Sequence, residues 1–353
     1  MRCGRQPNCR QPWSKGGIPI IYERVFRPLL FRMDPEKAHS LALAFLRWGL
    51  VPRVPLPTLS QSFPFLGKNL SHPVGLAGGM DKDGVALRIW ERVGFAFVEV
   101  GTVTPRPQKG NPKPRIFRLT EDKAIINRLG FNSLGAHALA ERLRRRSLRI
   151  PLGVNIGKNA DTPNDQAWKD YAECAQVFQG VSDYLVINVS SPSTPDLREL
   201  QTESALRQIV DAIKNVNPHV PLFVKVSPDE TDDRLQAILR VCTDYKLEGI
   251  VATNTTLKRP KLISPLQHET GGLSGVPLRE RALSVCAQLR QWAGDSIQII
   301  GVGGIFTGRD LMERLNAGAT VCQIYTALVY RGPWVVKKIL REYIKELRRE
   351  SIC

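Results

Sequence analysis

The stretch Gln298–Leu328, QIIGVGGIFTGRDLMERLNAGATVCQIYTAL, decides the fold. It reads as a short β-rich run (Gln298–Gly301), a glycine turn at Gly303 and Gly304, a helical pattern over 308–316 and a second β-rich run (Thr320–Ile324). A strand, a helical crossover and another strand in so short a span make a parallel unit. Working outward, the same unit recurs. Further β-rich runs fall at Pro73–Ala77, Phe97–Val100, Leu152–Ile156, Tyr184–Val189, Leu222–Val226 and Gly249–Ala252. Helical patterns follow the runs at 84–93, 133–147, 167–179, 202–216, 231–245, 278–292, 308–316 and 333–349. Eight strands, each trailed by a helix, predict an α/β protein built as a closed (β/α)8 TIM barrel. A doubly wound sheet would place its phosphate-binding glycines after the first strand and rarely needs eight units. No short repeat points to a solenoid.

N-terminal to the barrel pattern, residues 1–16 are polar, basic and aperiodic, and are expected to form a disordered tail. Residues 17–55 form a second segment. Ile21, Val25, Leu29, Leu43, Leu46 and Leu50 recur at helical spacing among arginines, with Pro28 and Pro35 expected to divide it into two short helices. Val54–Leu59 reads as a proline-rich linker, and the barrel occupies 56–353. Of the net charge of +17, eleven lie before Leu56 or after Tyr330. Basic ends face nucleic acid or an anionic membrane, and composition alone leaves both open. The seven cysteines show no CxxC and no metal-type spacing with histidine, so reduced thiols and no metal are expected. No run reaches the roughly 18–20 apolar residues of a membrane span, and no apolar core of a secretory signal follows the basic start. The expectation is a chain that neither spans a bilayer nor is exported.

In such a barrel the chemistry sits where strands run into the following loops. Those endings are uniformly polar here: Lys82 in GLAGGMDKDG, Thr102 in EVGTVTP, Asn155 in GVNIGKN, Asn188 and Ser191 in VINVSSPSTP, Lys225 in VKVSPD, and Thr253, Asn254 and Thr255 in ATNTT. Singly, each is as well explained by a helix cap or a turn. Together, six coincident polar endings are not. Gly303–Gly304 and Tyr325–Thr326 occupy the place where such barrels bind phosphate on backbone amides. Lys225, on an otherwise apolar strand, needs a negative partner if buried, either an anionic ligand or Glu99 on the second strand. About fifty residues separate the second and third strands, too many for a plain βα unit. That excursion reads as a substrate lid or pocket wall carrying Asn127, Phe131 and Asn132, or as a β-hairpin on the rim.

At these residues the chain resembles the dihydroorotate dehydrogenases, specifically the class 2, membrane-associated, quinone-reducing branch. The resemblance spans roughly 20–345 and rests on motifs in the family order: DPEKAH, PVGLAGGMDKDG, GTVTPRPQKGNPKPRIFRL, INRLGFN, NIGKN, NVSSPSTP, VKVSPD, ATNTT, TGGLSG, IIGVGGI and QIYTAL. It implies a barrel holding one flavin mononucleotide (FMN) that oxidises (S)-dihydroorotate to orotate, the fourth step of de novo pyrimidine (UMP) biosynthesis, with a membrane quinone reoxidising the flavin. By that resemblance the flavin contacts fall on Gly78, Gly79, Met80, Asp81, Lys82, Thr102, Asn155, Asn188, Lys225, Thr253, Gly275, Gly304, Tyr325 and Thr326. Orotate contacts fall on Lys82, Asn127, Arg128, Leu129, Gly130, Phe131, Asn188, Ser193, Asn254 and Thr255. Ser191 matches the catalytic base, with Thr194 and Phe131 as relay and pocket residues and Lys225 stabilising charge on the flavin.

Serine rather than cysteine at 191 separates the chain from the soluble class 1 enzymes. The N-terminal segment does so again, since class 2 members use it to dock on the membrane and to form a quinone tunnel. Here its apolar faces are flanked by Arg24, Arg27, Arg32 and Arg47, as an interfacial helix pair requires. The resemblance brings His39, Arg118 and Tyr325 toward the quinone. It implies a monomeric, peripheral membrane protein, on the cytoplasmic side of the inner membrane if bacterial, that binds an anionic surface and no nucleic acid. Two departures stand out: Ser193 replaces the family's substrate-contacting Asn, and Gly78 stands where many members have Ala. A flavin barrel acting on RNA, as dihydrouridine synthases do, would account for the charge but needs a catalytic cysteine in the mouth, where this sequence has none. A catalytically silent flavin protein is the other alternative, motivated by Ser193.

Overall fold

The computed structural model describes residues 22–49, 51, 53–145, 148–194 and 196–351, so the basic tail lies outside the described residues. After a π-helical turn (Tyr22–Phe26) come α1 (Arg27–Arg32) and α2 (Pro35–Arg47). Asp34 starts α2, its carboxylate accepting from the amides of Glu36 (3.1 Å) and Lys37 (2.9 Å). Pro35 separates the helices as expected. Pro28 does not divide the segment, because it lies in the first turn of α1, where no N–H is needed.

Among the described residues thirteen strands follow: β1 (Phe63–Phe65), β2 (Lys68–Leu70), β3 (Val74–Leu76), β4 (Val98–Val103), β5 (Ile116–Leu119), β6 (Ala124–Asn127), β7 (Leu152–Ile156), β8 (Tyr184–Asn188), β9 (Leu222–Val226), β10 (Gly249–Ala252), β11 (Gly272–Gly275), β12 (Gln298–Val302) and β13 (Val321–Ile324). Eight of them close a parallel barrel in the order β3, β4, β7, β8, β9, β10, β12, β13. These are the eight runs of the sequence pattern. Around them lie α3 (Leu87–Arg92), α4 (Ala136–Arg144), α5 (Ala167–Val177), α6 (Glu203–Val216), α7 (Asp232–Asp244), α8 (Arg279–Ala293), α9 (Gly308–Asn316), α10 (Thr326–Arg331) and α11 (Val335–Glu350). The short helix α10 was not evident in the apolar periodicity.

Phe65, from the hairpin β1–β2, plugs the end of the barrel where the strands begin. Its ring meets those of Phe97 (4.9 Å between centroids), Tyr184 (5.7 Å) and Phe223 (6.0 Å). Two glycines make room: a Cβ on Gly75 would lie 2.3 Å from the Phe97 ring, and one on Gly153 2.1 Å from that of Tyr184. With one end closed by aromatic packing, the opposite end alone is left for ligands.

The excursion after β4 is both rim hairpin and pocket wall. β5 and β6 pair antiparallel, and β11 adds a third strand on β6. The Tyr330 hydroxyl on α10 lies 3.0 and 2.9 Å from the carbonyls of Leu119 and Ala124, fixing the hairpin over the barrel. Tyr22 donates to the Val329 carbonyl (2.7 Å), so the N-terminal helices rest on α10 as well.

Candidate active site

The polar strand endings converge on one cleft at the open end of the barrel. On its floor, β4, β7, β8 and β9 present a continuous network. Thr102 donates to Asn155 Oδ1 (2.5 Å), and Asn188 Nδ2 donates to Thr102 Oγ1 (2.9 Å) and Asn155 Oδ1 (3.0 Å). Asn155 Nδ2 in turn donates to Glu99 (2.8 Å). The Glu99 carboxylate is fully buried, takes a further bond from Gln323 Nε2 (2.7 Å), and lies 3.7 Å from Lys225 Nζ. Of the two partners open for Lys225, the acidic one is therefore present, while the ammonium still lines the cleft. Gly78 is required in this rotamer: a Cβ there would sit 2.4 Å from Glu99 Oε1.

Ser191 follows β8 on the loop that faces the excursion. It is buried, and the Ser193 amide donates to its Oγ (3.3 Å). A donor on that oxygen favours the form that has given up a proton. Thr194, also buried, has a hydroxyl with no hydrogen-bond partner among the described residues. Ser193, which also lines the cleft, donates to the Asn127 carbonyl (3.3 Å) and so ties the loop to β6. Opposite, Phe131 adopts a left-handed backbone (φ 53°) that turns its ring into the wall, and a Cβ on Gly157 would meet that ring at 2.8 Å. Lys82 Nζ donates to Asn132 Oδ1 (2.7 Å), and desolvation, reinforced by the Arg115 charge, pushes its ammonium down to about 8. Asn254 is fixed from both sides, donating to Ser190 Oγ (3.0 Å) and accepting from the Thr255 amide (2.8 Å).

At the far end, Gly303 (φ 117°) and Gly304 (φ 73°) turn the chain back from β12, and Ser274 and Thr326 share a hydroxyl contact of 2.9 Å beside Gly275. Among the described residues the amides of Gly304 and Ile305 have no hydrogen-bond acceptor. Gly79 faces the Tyr325 ring, 3.4 Å from where a Cβ would be. A planar polar ring over the Thr102–Asn188–Lys225 floor, with a phosphate on the glycine turn, fits this donor set. Among the described residues no cluster of metal-ligating side chains exists.

Some expected residues point elsewhere. The Asp81 carboxylate accepts from the amides of Val85 (2.7 Å) and Ala86 (2.9 Å) and from Trp90 Nε1 (2.8 Å), so its side chain anchors the start of α3 rather than facing the cleft. Arg128 turns outward to Glu269 (2.7 Å) and stacks on Phe117. Arg118 reaches α1, donating to the carbonyls of Leu30 (2.8 Å), Phe31 (3.2 Å) and Met33. His39 approaches the site from α2, and burial and the Lys82 charge hold its imidazole below the usual range. Asn111 escaped the sequence reading. It donates to the carbonyls of Arg128 and Ser193 (both 3.0 Å), joining the excursion to the Ser191 loop, and no periodicity marks it.

Comparison with known proteins gives a concordant result. The family model described as dihydroorotate dehydrogenase matches residues 60–347. The dihydroorotate dehydrogenase (quinone) of Thermus thermophilus is 46% identical over 335 residues, covering 92% of this chain and 96% of that one. That of Gloeobacter violaceus is 45% identical, covering 93% and 95%. The crystal structure of the Eimeria tenella enzyme in complex with ferulenol superposes with a TM-score of 0.85 at 38% identity, covering 91% of this chain and 95% of that one.

Proposed function

Because the chain belongs to the dihydroorotate dehydrogenase family, in its quinone-reducing branch, it oxidises dihydroorotate to orotate in pyrimidine biosynthesis with a quinone as acceptor, and we propose how its residues divide that work. The family uses a flavin; FMN, one per chain, is the form that the glycine turn suits. The observation that carries the reading is the convergence of Ser191, Lys82, Lys225 and Gly304 on one cleft.

The FMN ring would be held by Gly78, Gly79, Thr102, Asn155, Asn188, Lys225, Thr253, Gly275 and Tyr325, with its phosphate on Gly304 and Thr326. Met80, Asp81 and Lys82 would contribute through the loop backbone or, for Lys82, the ammonium. When bound, FMN would supply the two-electron redox chemistry that links oxidation of the substrate at C6 to reduction of the quinone. Ser191 takes the proton from C5 while its own hydroxyl proton passes to Thr194 and on to water. The unpartnered Thr194 hydroxyl and the Ser193 amide on Ser191 Oγ support that route. Lys82 pairs with the orotate carboxylate. Asn127, Asn188, Asn254 and Thr255 meet the ring edges, with the backbone of 128–130 and Ser193 completing the pocket. Phe131 excludes water from the proton transfer. Lys225 opposes the negative charge that arrives with the hydride, and Glu99 holds its ammonium in place.

Around this centre we divide the chain into a basic tail (1–16), a docking segment (17–55) and the barrel (56–353). Val25, Phe26, Leu29, Leu41, Phe45 and Trp48 are exposed on the segment, Trp48 by 76%. Interleaved with Arg24, Arg32 and Arg47, they suit insertion into the headgroup layer of an anionic membrane by a monomer, on the cytoplasmic side if the source is bacterial. No described helix is long and apolar enough to cross a membrane. His39, Arg118 and Tyr325, between that segment and the cleft, are the proposed quinone contacts. The decisive experiment is anaerobic mixing of the yellow protein with dihydroorotate. Ser191→Ala should slow flavin bleaching by about two or more orders of magnitude near neutral pH while the protein stays yellow; wild-type bleaching in that variant would remove Ser191 from the role of base.

A further inference from the structure

Arg314, on α9, is 1% exposed, yet among the described residues it forms no ion pair; the nearby Asp310 is taken by Arg279 at 2.6 Å. Its partners are carbonyls. Nη1 donates to Val302 (3.2 Å), Nη2 to Gly303 (2.9 Å) and Arg279 (3.4 Å), and Nε has no partner. A guanidinium does not give up its proton in a protein, so this is a permanent buried charge with no ion-pair partner of its own among the described residues. The chain is shaped around it: a Cβ on Gly301 would lie 2.6 Å from Arg314 Cγ and 2.9 Å from Cδ. The first glycine of the IIGVGG run therefore serves the arginine stem.

The clasp acts on the turn that faces the cleft. Drawing the carbonyls of Val302 and Gly303 down onto Arg314 leaves the next two amides, of Gly304 and Ile305, without protein acceptors, and both residues line the cleft. Outward amides above a buried cation form a cradle for an anion. We propose that Arg314 is a positioning residue for the phosphate of FMN: it holds the Gly303–Gly304 turn in its amide-out form and supplies, one peptide layer below, the positive charge that the phosphate balances. The proposal rests on the FMN reading above. Its chemical consequence is selectivity for a flavin bearing a phosphate monoester over an uncharged flavin.

The test removes flavin from the full chain and titrates FMN and riboflavin back, following quenching of flavin fluorescence. The wild-type protein should prefer FMN. Arg314→Met should weaken FMN by at least about tenfold while moving riboflavin less than about twofold. Arg314→Lys, which keeps the charge but clasps fewer carbonyls, should retain most of the preference and serves if the methionine variant does not fold. Equal losses for both flavins, or a lysine variant with no preference left, would show Arg314 to be a structural buttress only and overturn the proposal. A wild-type protein that binds FMN and riboflavin alike would instead overturn the FMN reading, and the proposal with it.

Discussion

Lys82 holds its proton weakly, at about 8, because desolvation and the neighbouring Arg115 both disfavour a second cation at the mouth. Below that value the free protein already carries the charge that a carboxylate ligand needs. Above it, a proton must be restored before binding, so orotate inhibition should weaken about tenfold per pH unit above about 8 and be level below it. Lys82→Met should bind orotate poorly with no such break; an unbroken wild-type profile through the alkaline range would remove Lys82 as the carboxylate partner. The residue types at the strand ends were legible because each strand directs its last polar side chain to the same mouth. Their hydrogen-bond partners were not. Asp81 sits inside a motif matched by resemblance, yet its carboxylate is spent on α3, and only coordinates reveal which way a side chain of that loop turns.

At the scale of elements, the docking helix α2 is tied to the substrate pocket through Glu36, which pairs with the buried Arg115 and with the exposed Lys113 at 3.2 Å. Glu36 accepts from Arg115 Nε (3.1 Å) and Nη2 (2.7 Å), and Arg115 Nη1 grips the carbonyls of Lys109 (2.7 Å) and Asn111 (2.9 Å), whose side chain holds the Ser193 carbonyl. The Arg115 hydrogen bonds hold the Glu36 carboxyl below its ordinary 4.5. A depressed acid stabilises the fold when ionised, so its contribution is intact above about 4.5 and is lost as pH falls through the lowered value. Glu36→Gln should cost about 1.5–3 kcal/mol near neutral pH and raise KM for dihydroorotate more than it lowers kcat, since the excursion loses its anchor. Thermal melts should converge with wild type in acid; a constant difference at all pH values would refute this coupling. The motifs DPEKAH and NPKPR each stood out in the sequence, but Glu36 and Arg115 stand 79 positions apart and nothing local signals their pairing.

For the whole molecule, Arg24, Arg32 and Arg47 share the N-terminal segment with the exposed Val25, Phe26, Leu29, Leu41, Phe45 and Trp48. Phe45→Asp combined with Trp48→Asp should abolish flotation with anionic vesicles and reduce turnover with a long-chain quinone severalfold, while dihydroorotate still bleaches the flavin at the wild-type rate. Unchanged flotation would remove the segment's docking role. The eightfold strand–helix alternation, the polar mouth and the serine at position 191 were determined by the sequence itself, because period, chain order and residue type are local properties that folding does not alter. The tertiary structure decided what closes the barrel below, which carboxylate meets Lys225, how the excursion pairs with β11, and that a lone arginine lies under the glycine turn. Those are contacts between residues up to hundreds of positions apart, selected by packing and by the cost of leaving a buried charge or polar group without a partner.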